Sequence, residues 1–454
     1  MPYVSLNPAT NRLIQTHASW DAQHLEQALE KAHSAQQVWA QTTYAARAEV
    51  LRNVAMHLHA QRNQYAFLIT QEMGKPLREA RAEVEKCAGV CDYYAQHAEE
   101  FLRAEPVESD AAKSYVAYYP LGVVLAIMPW NFPFWQVFRA AAPALMAGNA
   151  LVLKHAPNVP QCALAIEHIF RDCGLPEGVF TSLMIEVEQA AEAIASLHVH
   201  AVTLTGSEAA GRKVAACAGQ HLKKCVLELG GSDPFIVLHD ADLEHTVNMA
   251  VASRFLNCGQ SCIAAKRFIV VPQIADEFLR QFKTKVEELK LGDPMDEATQ
   301  IGPMARLDLC DELHRQVSDS IAQGAVVVTG CKPVEREGFF YQPSILDRVT
   351  PNTRAWHEEL FGPVAIIIRA TSEQDALRLA NETRFGLGSS IWSKDTARVE
   401  QLAAQIQAGS TFINGMVKSD PRLPFGGVKA SGYGRELSRL GMHEFVNAKT
   451  VWIR

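Results

Sequence analysis

The chain has 454 residues, 48% of them hydrophobic and 20% charged, and a net charge of −7. That length exceeds one compact core and sets an expectation of two or three domains in a soluble globular enzyme. The acidic balance gives no basic footprint for nucleic acid, and no apolar run reaches the ~18 residues of a membrane span.

The start, MPYVSLNPATNRLIQ, lacks the charged-then-apolar pattern of a leader, so a cytoplasmic setting is expected. Ten cysteines without a Cys-x-x-Cys pair fit a reducing compartment better than a disulfide scaffold, and no zinc or other metal site is expected.

Residues 21–103 carry Ala, Glu, Leu and Gln at helical spacing with few breakers and predict a helical layer. Residues 114–119 read as a strand ending at Pro120. Apolar runs then recur as strands at 121–128, 150–153, 201–205 and 224–229, with helical segments at 133–147, 160–173 and 208–218 between them. Such alternation implies a parallel sheet with helices on its faces. A second set has strands at 234–238, 267–271, 325–328 and 363–369 and helices at 273–290, 305–323 and 372–382. The tail, 445–454, reads as a final strand. The fold class is therefore α/β, with two parallel-sheet domains plus a small β arm. The strand-like arms suggest a homodimer or homotetramer.

Cys262 closes the run Phe255-Leu256-Asn257-Cys258-Gly259-Gln260-Ser261-Cys262, a small and polar stretch that reads as an exposed turn holding two thiols. Cysteine is the side chain most easily made a nucleophile near neutral pH. Four polar landmarks fall at strand ends, where ligands bind in open parallel sheets. They are Pro129-Trp130-Asn131-Phe132-Pro133, Lys154, Gly206-Ser207, and Glu228 running into Gly230-Gly231.

Each landmark has a plainer reading. Ser207 before Glu208 is ordinary helix-capping chemistry, although the same helix start could hold a phosphate. Lys154 could bond a ribose hydroxyl or phosphate, or simply be a solvated strand-end lysine. Asn131, two residues before Pro133, is placed as a helix cap, and its amide also suits an oxyanion. Trp135 and Arg139, at i and i+4, share a helix face that could look into the same pocket, or could be packing and a surface cation. Glu228, flanked by apolar residues, would have a raised pKa suited to a general base, unless it pairs with Lys223 or Lys224. His198 and His200 read as solvated, and Cys87 and Cys91 as core or half-buried. There is no G-x-G-x-x-G after a strand.

Seven motifs in order resemble the aldehyde dehydrogenase superfamily across essentially the whole chain. They are PWNFP at 129–133, LVLK at 151–154, LTGS at 204–207, LELGG at 227–231, Asn257-x-Gly259-Gln260-x-Cys262, EELFGP at 358–363 and PFGGxKxSG at 424–432. Trp135, Arg139 and the NGMVKSD run at 414–420 are similar to the shorter bacterial succinate-semialdehyde dehydrogenases.

The resemblance implies that an aldehyde substrate is attacked by Cys262, with Asn131 and the Cys262 N–H on the oxyanion. It further implies a hydride passed to NAD or NADP and a thioester hydrolysed by water that Glu228 activates. Cofactor contacts are implied for Met128, Trp130, Lys154, Pro157, Gly206, Ser207 and Leu229, with Glu359 on the nicotinamide ribose and Phe361 near the nicotinamide. Trp135, Arg139 and Ser419 would meet the substrate. The implied division is a cofactor domain of 1–103 and 121–229, a catalytic domain of 230–429, and an arm and tail of 104–120 and 430–454.

Two departures bear on selectivity. Relatives that prefer NAD often carry Glu where this chain has Pro157, so NADP should be tolerated to some degree beside an expected use of NAD. Some semialdehyde dehydrogenases carry arginine where this chain has Leu256, which leaves carboxylate recognition to Arg139 with Ser419. Glutarate semialdehyde or an aliphatic aldehyde is the alternative substrate. A cysteine hydrolase using Cys262 and Glu228 leaves the cofactor motifs unexplained, and a silent relative would not keep all three polar groups. A Cys258–Cys262 disulfide would require the loop to bend.

Overall fold

Residues 3–454 are described by the computed structural model; Met1 and Pro2, the first two residues of the segment read for a leader, lie outside them. Two mainly parallel sheets dominate. The first has six strands in the order Gly432–Tyr433, Lys224–Glu228, Ala201–Thr205, Val123–Met128, Ala150–His155 and Phe180–Ser182. Only the short Gly432–Tyr433 strand runs antiparallel to its neighbour. The chain enters at Val123–Met128, builds outward on one side, then returns to pair Ala201–Thr205 on the other. That reversal of strand order opens a crevice at the carboxyl ends.

The second sheet has seven strands, with Asp233–Val237 and Ala265–Val270 at its centre and Val326–Thr329 antiparallel at one edge. The helices Tyr44–Ala60, Arg62–Met73 and Leu77–Phe101 share one apolar core with the six-stranded sheet, while the seven-stranded sheet has a core of its own. Leu77–Phe101 lies against Trp135–Met146, which brings a polar helix stripe beside the crevice. A three-stranded antiparallel sheet joins Glu105–Pro106, Lys113–Pro120 and Val446–Ile453.

The expected strands and helices are present, with ends shifted by a few residues. The strand expected at 121–128 begins at Val123, because Gly122 sits at φ +132° and donates its N–H to Asn149 Oδ1 instead of a neighbouring strand. Seven strands escaped the apolar-run criterion, among them Phe180–Ser182, Ser344–Asp347 and Gly432–Tyr433. Two form an N-terminal hairpin, Tyr3–Asn7 and Arg12–His17. Gly388–Trp392 and Ser410–Ile413 are rich in small hydroxyl residues, and Ser389 Oγ is satisfied by Thr411 Oγ1 at 2.8 Å and Ser410 O at 3.1 Å. His198 and His200 are not solvated as expected; both are half-buried beside the His33 ring, and His200 Nδ1 accepts the Val123 N–H at 3.1 Å. Cys87 and Cys91 are fully buried in the core. Among the described residues no helix is long and apolar enough to cross a membrane, and no group of three or more His, Cys, Asp or Glu side chains could hold a metal ion.

Candidate active site

Cys262 follows a 3-10 turn, Leu256–Gly259, and precedes the buried strand Ala265–Val270. The turn is not exposed as a whole. Past its exposed first residue, Leu256, the run Asn257, Cys258, Gly259, Gln260 and Ser261 is buried, and Cys262 is half-buried. Three successive residues, Asn257, Cys258 and Gly259, take left-handed φ values of +54°, +55° and +71°.

A lattice of hydrogen bonds holds this backbone. Arg254, fully buried, donates to the carbonyls of Leu360, Gly362 and Val364. Lys266 Nζ donates to the carbonyls of Ser261 and Cys262 at 2.8 Å each. Asn257 Nδ2 reaches Asn131 O at 2.8 Å, and Asn131 Nδ2 reaches Gln260 O at 3.0 Å. The bonds from the Arg254 and Lys266 cations are charge-assisted and contribute on the order of 1.5–3 kcal/mol each, more than the neutral amide bonds.

A Cβ on Gly259 would lie 2.3 Å from Gly362 O, so the position needs glycine for both φ and space. Gly259→Ala is expected to lower stability by on the order of 2–3 kcal/mol. A urea unfolding midpoint equal to that of the parent would refute the close approach.

The Cys258 thiol packs in the core of the seven-stranded sheet, whereas Cys262 sits against the other core. Both are free thiols. Burial pushes the Cys262 thiol up to about 12, against the pull of Arg139 and Lys266.

Cys262 lines a cavity of about 210 Å³ together with Trp135, Arg139, Ser419, Lys86 and Leu256. Three predicted residues, Trp135, Arg139 and Ser419, thus meet the thiol in one space. Arg139 is buried and ion-paired with the buried Glu436, and its Nη2 donates to Thr205 Oγ1 at 3.1 Å.

Glu228 ends its strand nearby, fully enclosed, with no hydrogen-bond partner on either carboxylate oxygen. Neither lysine weighed as its partner reaches it: Lys223 donates to Ser196 O and Lys224 pairs with Glu444. Burial pushes the Glu228 carboxyl well above the usual carboxylate range; the Glu436 charge adds to the rise, and Arg139 and Arg435 oppose it. A Cβ on Gly426 would come within 2.7 Å of Glu228 Oε1, so this glycine leaves the carboxylate its room.

Asn131 does not cap the following helix. Trp135–Met146 starts four residues later, and Glu83 supplies the cap by accepting the Phe134 and Trp135 N–H groups at 2.9 and 3.0 Å. A buried carboxylate from another helix satisfies the orphan donors, which frees Asn131 to brace the Cys262 turn.

The remaining strand ends line the crevice of the six-stranded sheet. Met128 closes its strand opposite His155. Lys154 is buried, not solvated, and its Nζ finds one carbonyl, that of His155 at 3.1 Å. Burial lowers its ammonium to about 8. A buried cation with one neutral protein acceptor fits a hydroxyl- or phosphate-bearing ligand. Pro157 is exposed beside it, and the neighbouring Asn158 amide has no partner on either atom. Gly206 N–H bonds Glu228 O at 2.9 Å, and Ser207 caps the next helix by accepting from Ala210 N at 3.2 Å. Leu229 N–H bonds Ser431 O at 3.0 Å.

From the other sheet, Glu359 ion-pairs with Lys266 at 3.0 Å and accepts the Gly231 N–H at 3.2 Å. The Phe361 ring meets Trp130 edge-on, with centroids 5.8 Å apart.

Sequence reasoning passed over Lys86, Arg254, Lys266 and Glu436. The signal for Lys86 was present: Glu79, Glu83 and Lys86 recur at i, i+4 and i+7 on one face of Leu77–Phe101. Nothing local ties that face to a turn some 175 residues further on.

The chain is 50% identical over 453 residues to a probable succinate-semialdehyde dehydrogenase (NADP(+)) of Synechocystis sp., with 100% of each chain covered. It is 49% identical over 449 residues to the succinate semialdehyde dehydrogenase (NAD(P)+) Sad of Escherichia coli, covering 99% of this chain and 97% of that one. The crystal structure of succinic semialdehyde dehydrogenase from Streptococcus pyogenes in complex with NADP+ superposes with a TM-score of 0.98 at 39% identity, covering 99% of both chains. The aldehyde dehydrogenase family model matches residues 2–451, and the chain belongs to that family.

Proposed function

We propose that the protein oxidises succinate semialdehyde to succinate with NADP or NAD as hydride acceptor. The observation that carries the chemistry is a buried carboxylate with no hydrogen-bond partner, Glu228, and a cavity-lining thiol, Cys262, both within the electrostatic reach of Arg139. The substrate reading is supported by the names of the relatives and by cationic groups in a largely apolar cavity.

In this reading the Cys262 sulfur, once deprotonated, adds to the aldehyde carbon. The oxyanion is met by the second N–H of the Asn131 amide and by the Cys262 backbone N–H. The bound dinucleotide supplies the acceptor for the hydride that leaves the same carbon. Glu228 then takes a proton from water, the hydroxyl attacks the thioester carbon, and the C–S bond breaks to return the thiolate and release the acid. Lys154 and Ser207 would hold ribose and phosphate groups, with Trp130, Met128, Gly206 and Leu229 shaping the crevice. Glu359 and Phe361 would face the nicotinamide end. Trp135, Arg139 and Ser419 would contact the substrate. The six-stranded sheet with residues 1–103 would serve as the cofactor domain, the seven-stranded sheet as the catalytic domain, and the three-stranded sheet as an oligomerisation arm.

The sequence alone leans toward NAD. The relatives named for NADP(+) move the proposal to NADP as the favoured cofactor, with NAD accepted. Pro157 offers no carboxylate to repel a 2′-phosphate, and the unpartnered Asn158 amide and the Lys154 ammonium are donors close to it in sequence. The test is absorbance at the reduced-nicotinamide band with succinate semialdehyde and each cofactor. At least a tenfold higher kcat/KM with NADP is expected; parity or NAD preference overturns the cofactor reading, and no signal with either overturns the activity.

A further inference from the structure

Five cations stand at or close to the Cys262 cavity; Lys418 is solvent-exposed, and three of the other four already have carboxylates. Arg139 is ion-paired with Glu436, Lys266 with Glu359, and Lys75 with Glu83. Lys86 differs. Its Nζ donates to Ser419 Oγ at 2.6 Å and lies 4.2 Å over the Trp135 ring, and it has no ion-pair partner among the described residues.

The acids that face it are committed elsewhere. Glu83 accepts two backbone N–H groups as well as the Lys75 ammonium. Asp420 is held by Arg422 in a two-pronged contact, at 2.8 and 2.6 Å. Lys86 nevertheless lines the cavity, among Trp135, Phe132, Phe425 and Val417. Burial lowers its ammonium to about 8, with the Arg139 charge adding to the fall. A desolvated cation on an apolar wall is a costly arrangement unless an anion arrives to share it.

The Ser419 contact extends the arrangement. Because Ser419 Oγ accepts from a cation, its own proton is free to point elsewhere and is polarised toward donation. An ammonium with two N–H bonds left and one hydroxyl proton make adjacent donors, which suits the two oxygens of a carboxylate.

We propose that Lys86 and Ser419 together form the carboxylate anchor of the substrate cavity, and that Lys86 is a specificity-determining residue for aldehydes that carry an acid group. This rests on the reading of succinate semialdehyde as substrate. Arg139, neutralised by Glu436, then supplies shape and field at the base of the pocket, and Lys86 supplies the uncompensated positive charge.

The test compares succinate semialdehyde with butanal, an uncharged aldehyde of equal length, in the parent enzyme and in Lys86→Met, Lys86→Gln and Lys86→Arg. In Met and Gln variants the ratio of kcat/KM for succinate semialdehyde over butanal is expected to fall at least tenfold, mainly through KM for the acid. Lys86→Arg should keep most of the ratio, because charge is retained. Inhibition by succinate, followed against butanal turnover, should weaken in parallel. An unchanged ratio in Lys86→Met and Lys86→Gln overturns the anchor, as does an equal loss toward both aldehydes. A parent enzyme that oxidises butanal as well as succinate semialdehyde overturns the substrate reading instead, and succinate inhibition then reports on Lys86 alone.

Discussion

Cys262→Ala is expected to abolish aldehyde oxidation, by on the order of 10⁴-fold or more, while leaving binding of the dinucleotide intact. Among the described residues Cys262 is the only thiol that lines the cavity, and a thiolate is both a strong nucleophile and a good leaving group from an acyl intermediate. Cys258 cannot substitute. Its thiol is enclosed in the opposite core and is pushed above its ordinary range by burial. The backbone of the turn is held by Arg254, Lys266 and Asn131 through main-chain and amide contacts that do not involve the sulfur, so removing Sγ should leave the cofactor crevice undisturbed. Fluorescence or calorimetric titration with NADP and NAD checks the second half of the expectation. Substantial residual turnover would remove Cys262 as nucleophile, and loss of cofactor binding would mean that the substitution acts on the fold.

The same turn shows how much of the site was legible in sequence. Cys262, Asn131 and Glu228 could be found because each sits where strand periodicity breaks into a small or polar run. The character of the turn could not. Its Gly, Ser and Asn content reads as exposed coil, yet these residues are small because backbones approach each other: Gly259 lies against Gly362, and Gly231 would place a Cβ 2.7 Å from Cys262 O. The clamps come from charged residues embedded in apolar segments, Arg254 at a helix end and Lys266 within a buried strand. A lysine or arginine inside such a run is the visible trace of a carbonyl cluster that needs a donor, but its target is far along the chain.

Pairing across the chain is what local pattern cannot supply. The helical layer of 21–103 was apparent, and its lack of breakers gave no hint that Glu83 would cap a helix starting at Trp135, or that Glu79 would accept the Asn257 N–H at 2.7 Å. Burial brings the Glu79 carboxyl up to about 7. The site therefore draws on three layers, and only the two marked by motifs were evident from spacing. The strands Gly388–Trp392 and Ser410–Ile413 were missed for a related reason. The buried Ser389 hydroxyl is paired with Thr411 and with backbone, so its burial costs little although the sequence looks polar.

Glu228→Gln is expected to slow steady-state turnover by on the order of 10²–10⁴-fold while sparing the first hydride transfer. The carboxylate is isosteric with the amide and has no protein hydrogen bond to lose, so the fold should survive the change. What is lost is the base that takes the proton from water. Rapid mixing with excess aldehyde should then give a burst of about one reduced dinucleotide per site, followed by a slow phase, because the thioester forms and waits. Absence of a burst, with the first turnover as slow as later ones, would place Glu228 before hydride transfer instead. The parent enzyme carries a matching pH signature. Burial and the neighbouring Glu436 charge raise the Glu228 carboxyl, so the basic form accumulates only above the ordinary carboxylate range. Thioester hydrolysis should therefore rise with pH through an apparent pKa well above ~4.3, a value that belongs to the Glu228–Glu436 pair jointly. Glu228→Gln should erase that limb from the slow phase, whereas loss of the limb without loss of rate would assign it to another group.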